Sequence, residues 1–407
     1  MSDKKKKTIK IIVITCVVIL LIDILFLVYM NFFRKEERAY YDLVNAVYES
    51  DNYLVSVGSN NDNDDSLERG IITKYSSDYD IVWTKLYNKG YNGTFFDVIG
   101  DGDDIVAVGS YESTKEENES NLRTAFIVKY DSDGNVIFEK DFQILGNSKF
   151  NKIKVVEDGY IVVGQSIYEN STLGLSEDGG AVVLKYDTQG ELVWQNNYGG
   201  SKSGVYNDLI IEDNYIYAVG KDYSRTGIVS KISLDGEIIE TVEYNFVDTI
   251  GFSGIEVIGG ELVVIGAKKV SEDDDDYDTD GLVVKYSKDL KYLDEVIYRD
   301  KGIERFNQVV VDKDNDIVLI GTSALYDKVN STDTKNEFIY NGVIAKYKSD
   351  LSNIKVEQYG EDRDDYFTDI ILSDESYLVS GYSEYNDFEI LSKFINYNNA
   401  LEVIEVK

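Results

Sequence analysis

The residues of this chain best suited to chemistry are carboxylates in one short acidic stretch. The run 272–281 reads EDDDDYDTDG, and within it Asp276, Asp278 and Asp280 alternate with other residues ahead of a glycine. This alternation is typical of the opening of calcium-binding loops, where carboxylate oxygens converge on a hard cation. The bidentate acid that closes such a loop is absent, because Ser287 occupies its position. Calcium binding by these three aspartates is therefore one hypothesis, and a solvated acidic loop is the other.

A second alternation of carboxylates, at Asp312, Asp314 and Asp316, is a weaker calcium candidate. Here Ile317 stands where a calcium loop would have its glycine. Aspartates and asparagines between apolar runs are typical of tight turns, because their side chains bond to the nearby backbone. This stretch is therefore predicted to be a hairpin turn.

The chain contains no histidine, and its one cysteine is Cys16. Ser-His-Asp and Cys-His catalysis and histidine-based zinc sites are therefore excluded. An intramolecular disulfide is excluded as well. Aspartate, glutamate and tyrosine are abundant, so their presence alone identifies no catalytic residue. No catalytic residue, and no cofactor other than calcium, is expected.

The elements that would position these residues come from an internal repeat with a period of about 50 residues. Each unit has an apolar run that ends in glycine, at Gly58, Gly109, Gly164, Gly220, Gly266, Gly321 and Gly381. Each unit then has a run that ends in lysine and an apolar or aromatic residue, at Lys74-Tyr75, Lys129-Tyr130, Lys185-Tyr186, Lys231-Ile232, Lys285-Tyr286, Lys346-Tyr347 and Lys393-Phe394. Four short strands per unit predict an all-β fold, a seven-bladed β-propeller of four-stranded antiparallel blades that covers 40–407.

Two segments resemble the bacterial β-propeller repeat family, the SBBP-like repeats. The run 125–134 reads AFIVKYDSDG, and Leu192-Val193-Trp194 is followed by Tyr198-Gly199-Gly200. These segments are similar to family units that read roughly DAFVAKLD-x-x-G and then YGG. The resemblance implies a propeller and no catalytic residue, because the family has no fixed ones. The later units depart from it, with Leu290 and Leu351 where the turn glycine would be.

The N-terminal residues carry a second signal. Residues 1–10 form a basic tail, and 11–33 contain an apolar run of about 20 residues, enough to cross a bilayer as a helix. The lysines of the tail favour a cytoplasmic N-terminus and an extracellular propeller after a short linker, 34–39. A cleaved signal peptide fits less well because no A-x-A-like cleavage site follows the apolar run. A lipoprotein modified at Cys16 fits less well because Thr15 suits its cleavage site poorly and the apolar sequence continues beyond the cysteine. The sequence therefore predicts a single-pass protein of the cell membrane.

Asp23 lies near the middle of the predicted transmembrane helix, where an acid costs about 2.5–3.5 kcal/mol. One interpretation is a single tolerated acid in a very apolar helix. The other is a contact with another membrane helix, in a homo-oligomer or with a partner protein, since intramembrane acids are often functional. Both interpretations are retained.

The chain carries 41 Lys and Arg against 75 Asp and Glu, a formal net charge of −34. Repulsion from such a surface disfavours nucleic acid and anionic lipid head groups as partners. The longest insertions all fall between second and third strands, at 59–69, 110–123, 165–179, 267–280 and 322–341. In a propeller these insertions share one face, here called the loop face, and the opposite side is the hairpin face. The loop face is the expected interaction surface.

The first unit begins with its innermost strand near Tyr40–Val47, and the last ends with an outer strand, Leu401–Val406. No strand exchange between the first and last blades is expected, so packing alone would hold that seam. The short linker would keep the propeller close to the membrane. The favoured function is a non-catalytic module that binds a protein or cell-envelope ligand near the membrane. The alternative is a carbohydrate-active enzyme, a glycosidase or lyase that uses channel carboxylates.

Overall fold

The computed structural model contains seven four-stranded blades of a β-propeller. It describes residues 40–406 apart from 62–67, 114–122, 143–146, 168–179, 199–203, 223, 245–248, 270–278, 301–302, 327–337, 361–363, 374–375 and 387–388. Blades 1 to 4 contain β1 (Tyr40–Ser50), β2 (Tyr53–Asn60), β3 (Arg69–Ser76), β4 (Ile81–Tyr87); β5 (Tyr91–Asp101), β6 (Asp104–Glu112), β7 (Arg123–Tyr130), β8 (Val136–Phe142); β9 (Asn147–Val156), β10 (Gly159–Ile167), β11 (Gly180–Asp187), β12 (Leu192–Tyr198); β13 (Val205–Glu212), β14 (Tyr215–Lys221), β15 (Gly227–Ser233) and β16 (Ile238–Glu243). Blades 5 to 7 contain β17 (Thr249–Ile258), β18 (Glu261–Lys269), β19 (Thr279–Ser287), β20 (Tyr292–Tyr298); β21 (Ile303–Val311), β22 (Ile317–Tyr326), β23 (Phe338–Tyr347), β24 (Asn353–Tyr359); β25 (Asp364–Ser373), β26 (Ser376–Asn386), β27 (Glu389–Asn398) and β28 (Val403–Val406).

Within each blade the strands pair in chain order, each antiparallel to the next, and the first strand is innermost. The second and third strands are buried on both sides because neighbouring blades cover them, as β6 and β7 show. The predicted seven-bladed all-β propeller of four-stranded antiparallel blades is therefore confirmed.

The predicted transmembrane helix at 11–33, with Cys16 and Asp23, lies outside the described residues. The basic tail and the linker 34–39 lie outside them too. Within the part of the chain that the structure describes, no helix is long and apolar enough to cross a membrane.

The repeated glycine has a structural cause in a bulge of the innermost strand. In every blade the register between the first and second strands shifts by one residue at this bulge, as between Phe95 and Asp97 in blade 2. The preceding carbonyl oxygen, that of Thr94, then faces Gly109, and a Cβ there would collide with it. The same collision with a backbone oxygen exists at all seven repeated glycines. Glycine recurs because the bulge brings backbone onto backbone at this point.

In every blade except blade 2, the side chain of the bulged residue links the blade to the next one. Asn45 Nδ2 donates a hydrogen bond to the carbonyl oxygen of Phe95 in blade 2 at 2.7 Å. Equivalent bonds leave blades 3 to 6, donated by Asn151, Asn207, Ser253 and Asn307. The inner edge of a blade has backbone groups without a strand partner, and these bonds satisfy one of them at each contact. Blade 2 is the exception, because Phe96 stands at its bulge.

The turn between the third and fourth strands explains why the later units depart from the repeat pattern. In blades 2 to 4 a positive-φ glycine is covered by an aromatic side chain of the previous blade's outer strand, in the pairs Trp83/Gly134, Phe138/Gly190 and Trp194/Gly236. At the equivalent positions of the other blades the outer-strand residue is polar and the turn residue is large, in the pairs Glu240/Leu290, Asp294/Leu351, Lys355/Leu401 and Glu405/Tyr79. The three leucines are buried despite their positive φ. The large side chain between two neighbouring blades thus comes either from the outer strand of one blade or from the turn of the next.

The predicted lysine anchor is wrong in blade 7. There the repeated glycine, Gly381, pairs with Lys393 itself, whereas in the other blades it pairs three residues before the lysine. The equivalent position is Asn396, followed by the buried Tyr397. Lys393 lies three residues before the position of the repeated lysine, which is Asn396 in this blade, and the sequence pattern mistook one for the other. The strand count is unaffected.

The seam between blades 7 and 1 is not held by packing alone, so that expectation is corrected. The first residues of β1, Tyr40 and Tyr41, pair in parallel with Glu389 and Ile390 of β27. The short β28 pairs with the other end of β27 and leaves this place open. The exchange joins blades 7 and 1 into one sheet of eight strands.

Candidate functional site

The central channel is the candidate site, because all seven innermost strands meet around it. Toward the hairpin face it contains a cavity of about 520 Å³. The walls are largely aliphatic, with contributions from Val47, Val98, Ile153, Ile255, Val309 and Ile370. The charged residues of the cavity are Asp97, Lys152, Lys154, Asp208, Glu256 and Asp369.

Three aspartates hold equivalent positions in this channel. Asp97, Asp208 and Asp369 each come two residues after the buried aromatic residue of an innermost strand, and all three are buried. Each carboxylate accepts a hydrogen bond from a backbone N–H of the next blade, at 2.9 to 3.0 Å. Asp208 and Asp369 also accept the N–H of the residue that follows them. These carboxylates therefore satisfy backbone donors at the inner edges of the blades.

Lys152 has the equivalent position in blade 3 and supplies positive charge. Its Nζ lies 3.1 Å from Asp97 Oδ1. Burial alone would lower the pKa of Lys152, but Asp97, Asp369 and Asp208 raise it. Burial raises the pKa of Asp369 to about 6 and also raises the pKa of Asp208, with Lys152 opposing both shifts. The cluster therefore combines the cation of Lys152 with two carboxyl groups, those of Asp208 and Asp369, that take up protons more readily than exposed ones.

Glu256 is a further carboxyl group of the cavity. Its Oε1 accepts the N–H of Val257 at 3.0 Å, and burial raises its pKa while Lys154 opposes the shift. A carboxyl group with a raised pKa beside a cavity can act as a general acid. Glycoside cleavage also requires a second carboxylate that faces the sugar. Because the three aspartates already bind backbone N–H groups, the arrangement favours a structural role for the channel carboxylates.

The loop-face mouth of the channel has a different character. Around it stands the residue before the aromatic position of each innermost strand, namely Leu43, Thr94, Lys149, Val205, Gly251, Arg305 and Tyr366. Tyr366 stacks on both Tyr340 and Tyr382, with ring centroids 5.3 and 4.9 Å apart. Burial and the nearby Asp364 and Glu384 raise the pKa of Tyr366. The mouth is thus aromatic in blade 7 and basic in blades 3 and 6.

The predicted calcium residues are placed only in part. Asp276 and Asp278 lie outside the described residues. Asp280 is buried in β19, and its Oδ2 accepts hydrogen bonds from Arg299 Nε and Nη2 at 2.8 and 2.6 Å. Among the described residues, no group of three or more His, Cys, Asp or Glu side chains could hold a metal ion. Calcium binding by this loop stays a prediction.

The second carboxylate alternation forms the turn between β21 and β22, as predicted. Asp312 Oδ1 accepts the N–H groups of Asp314 and Asp316 at 3.0 and 2.9 Å. Asp312 Oδ2 accepts hydrogen bonds from Lys346 and Tyr377, both at 2.7 Å. These oxygens therefore stabilise the turn and its contact with blade 7.

The sequence interpretation missed Asp97, Lys152, Asp208 and Asp369. A signal for them exists, because each stands two residues after the aromatic residue of an innermost strand. When the units are aligned on that position, which is Val44 in the first unit and aromatic in the other six, they read Ala, Asp, Lys, Asp, Gly, Gln and Asp two residues later. Charged residues are rare at buried positions unless they are paired, so four of them at one repeat position indicate a shared polar environment.

No protein-family model matches the chain, and no curated protein matches it. Solved structures do match it. Polysaccharide lyase Uly1 is 11% identical with a TM-score of 0.51, over 86% of this chain and 89% of that one. A variant of Synechocystis apocarotenoid oxygenase is 11% identical with a TM-score of 0.50, over 90% of this chain and 92% of that one. The β-propeller domain of the Trilobed protease from Pyrococcus furiosus is 12% identical with a TM-score of 0.48, over 91% and 95%. At such identities the likeness shows the fold alone, a β-propeller.

Proposed function

We propose that this protein is a non-catalytic binding module, a propeller held at the outer surface of the cell membrane by its N-terminal helix. The observation that carries the non-catalytic part is the engagement of the channel aspartates. Asp97, Asp208 and Asp369 each bind a backbone N–H of the next blade, and Lys152 neutralises part of their charge. Carboxylates used in this way are poorly placed to act on a substrate.

The ligand surface in this proposal is the loop face. Its support is the distribution of insertions, which fall between second and third strands, while the described turns between first and second strands are short. Binding residues are concentrated on loops that a rigid scaffold positions. Since β1 would start from this face after the linker 34–39, the loop face would lie toward the membrane. A protein or cell-envelope ligand near the membrane fits this placement.

The membrane part of the proposal rests on the sequence. The apolar run within 11–33 and the lysines before it favour a single-pass protein with a cytoplasmic N-terminus. Asp23 would contact another membrane helix, in a homo-oligomer or a partner. Crosslinking in membranes tests this contact, because Asp23→Leu should abolish the adduct, and an unchanged adduct rejects it.

A second candidate function is a carbohydrate-active enzyme, and Glu256 is the observation that favours it. Burial raises the pKa of this carboxyl group beside the cavity, as a general acid requires. Turnover of a polysaccharide by the purified chain, lost in Glu256→Gln but kept in the exposed Glu237→Gln, would support this candidate and contradict the non-catalytic proposal.

The binding proposal is tested with the full-length protein in detergent and isolated cell envelopes. We expect the protein to sediment with the envelopes. Replacing 327–337, which joins β22 to β23 on the loop face, by a short Gly-Ser linker should reduce binding. The matched control replaces Asp213-Asn214 on the hairpin face by Asn-Gly and should bind normally. Equal binding by both variants, or none by the wild type, would contradict the proposal.

A further inference from the structure

The loop-face mouth contains a lysine that has no counter-charge among the described residues. Lys149 is half-buried, and within the described part of the chain its side chain makes no ion pair or hydrogen bond. Its Nζ lies 3.7 Å from the centroid of the Phe96 ring. By contrast, the half-buried Lys152 of the same strand binds a carboxylate. Burial, together with the positive charges of Arg123 and Lys221, lowers the pKa of Lys149 to about 8.

Other cations continue from Lys149 around the mouth. Lys149 and Arg305 have the same repeat position in blades 3 and 6. Lys221 pairs with Val205, which has this position in blade 4. The stem of Lys221 crosses Gly251, the corresponding residue of blade 5, where a Cβ would come within 2.7 Å of it. Blades 3, 4 and 6 therefore each contribute a cation to the mouth, and blade 5 contributes the glycine under Lys221. We call Lys149, Lys221 and Arg305 the cationic arc.

The charges on this arc act on one another. Burial lowers the pKa of Lys221, and the positive charges of Arg225 and Arg305 lower it further. In a chain with a net charge of −34, grouped cations that repel each other are unexpected on the basis of composition. The repulsion would be relieved by a bound anion.

The arc coincides with a break in the repeat. At six contacts the bulged residue is Asn, Ser or Thr and donates to the next blade. At the contact of blades 2 and 3 it is Phe96, which has no polar atom and faces Lys149 instead. A position that departs from an otherwise consistent structural rule is a candidate for function.

We infer that Lys149, Lys221 and Arg305 form a binding site for an oxyanion, a carboxylate or phosphate group of the ligand that the loop face recognises. Ammonium and guanidinium groups bind such oxyanions through charge-assisted hydrogen bonds. The inference rests on the proposed binding function and names the ligand chemistry. Among the described residues, the aromatic stack of Tyr366 lies at the same mouth and could contact the rest of the ligand.

The test uses the full-length protein in detergent with two probes, inorganic phosphate and glucuronate, and with chloride at matched ionic strength as the control. We expect a probe to raise the melting temperature and to protect Lys149 from acylation, as mapped by mass spectrometry. The probe with the greater effect identifies the ligand group as phosphate or carboxylate. Lys149→Met should weaken binding about tenfold or more, whereas Lys291→Met, an exposed turn lysine, should not.

Absence of any shift and of any protection of Lys149 with both probes would overturn the inference. If Lys149→Met does not fold, protection of Lys149 in the unaltered protein decides the question. Envelope binding separates the two proposals. Envelopes that bind Lys149→Met as well as the wild type would reject the oxyanion site and leave the binding function standing.

Discussion

Trp83 of blade 1 lies against Gly134 in the turn of blade 2, so that a Cβ added to Gly134 would come within 3.0 Å of a ring carbon. The indole Nε1 also donates to the carbonyl oxygen of Ser132 in the same turn, at 3.1 Å. The pair shows how adjacent blades divide the space between them, since a large outer-strand residue requires a small turn residue.

Gly134→Ala should destabilise the protein more than Gly102→Ala. Both glycines have positive φ, 78° and 64°, so both substitutions cost about 1–2 kcal/mol in backbone strain. Only Gly134 faces a ring, because nothing lies within 4 Å of a Cβ at Gly102. Denaturant unfolding measures the difference, which should become much smaller in a Trp83→Ala background, where the flexible end of the Lys85 side chain still lies near the added Cβ. Equal costs for the two substitutions would contradict the packing argument.

Lys346→Met should cost far more stability than Lys185→Met, although the two lysines are repeat equivalents. Lys346 and its partner Asp312 have side chains only 6% and 3% exposed, whereas Asp158, the partner of Lys185, is 70% exposed. Removing Lys346 leaves a buried carboxylate, at a cost of about 3–5 kcal/mol. Removing Lys185 breaks an exposed pair, at about 0–1 kcal/mol. Free energies of unfolding check this order, and similar values would show that Tyr377 alone satisfies Asp312.

Asp369 should make the protein more stable as the pH falls toward 5. Its folded pKa of about 6 lies above the unfolded value of about 3.9, so the folded state binds the proton more tightly. This stabilisation is complete below the unfolded pKa and is lost as the pH rises through the folded one. Between about pH 7 and about pH 5 the group should contribute about 1 kcal/mol.

The measurement is the change in unfolding free energy over that pH interval, compared between the wild type and Asp369→Asn. The variant should gain less stability on acidification than the wild type does. Asp78→Asn, in an exposed turn, is the control and should follow the wild type. A variant that matches the wild-type pH dependence would show that Asp369 does not titrate there.

Thr368→Val should loosen the ring at its seam. Thr368 Oγ1 donates to the Val44 carbonyl oxygen at 2.7 Å, which joins blade 7 to blade 1. Valine keeps the shape and removes the donor, so the loss should be about 1 kcal/mol. Amide hydrogen exchange should accelerate mainly in β1 and β25. Ser253→Ala, which breaks the equivalent bond between blades 5 and 6, is the control, and faster exchange at the seam in that variant would argue against a local effect.

The number and order of the strands could be predicted because they depend on local features that recur. The glycine at the end of each second strand records a bulge in the neighbouring strand, where backbone meets backbone. Because each blade has one such glycine, the seven glycines in the sequence predict seven blades even where the other repeat residues vary. The prediction at Lys393 was wrong because it used residue type alone. Strand pairing places Asn396, three residues later, at the position that the lysine has in the other blades.

Of the carboxylates discussed above, the sequence predicted the role of those in a turn and missed those in the channel. The role of Asp312 in a hairpin was predicted, since its bonds to Asp314 and Asp316 are local. Asp97, Asp208 and Asp369 were missed, because their partners are N–H groups of the next blade, far away along the chain.

By itself the sequence determined the seven blades, their strand order and the hairpin turns, because those depend on residues within one unit. The pairing of β1 with β27, the bonds of Asp97, Asp208 and Asp369 to the next blade, and the contact of Lys149 with Phe96 were decided only when the ring closed. Closure brings together backbone edges and charges that lie hundreds of residues apart or in different units. No pattern within a unit records such contacts, because both partners must be placed by the whole ring before they meet.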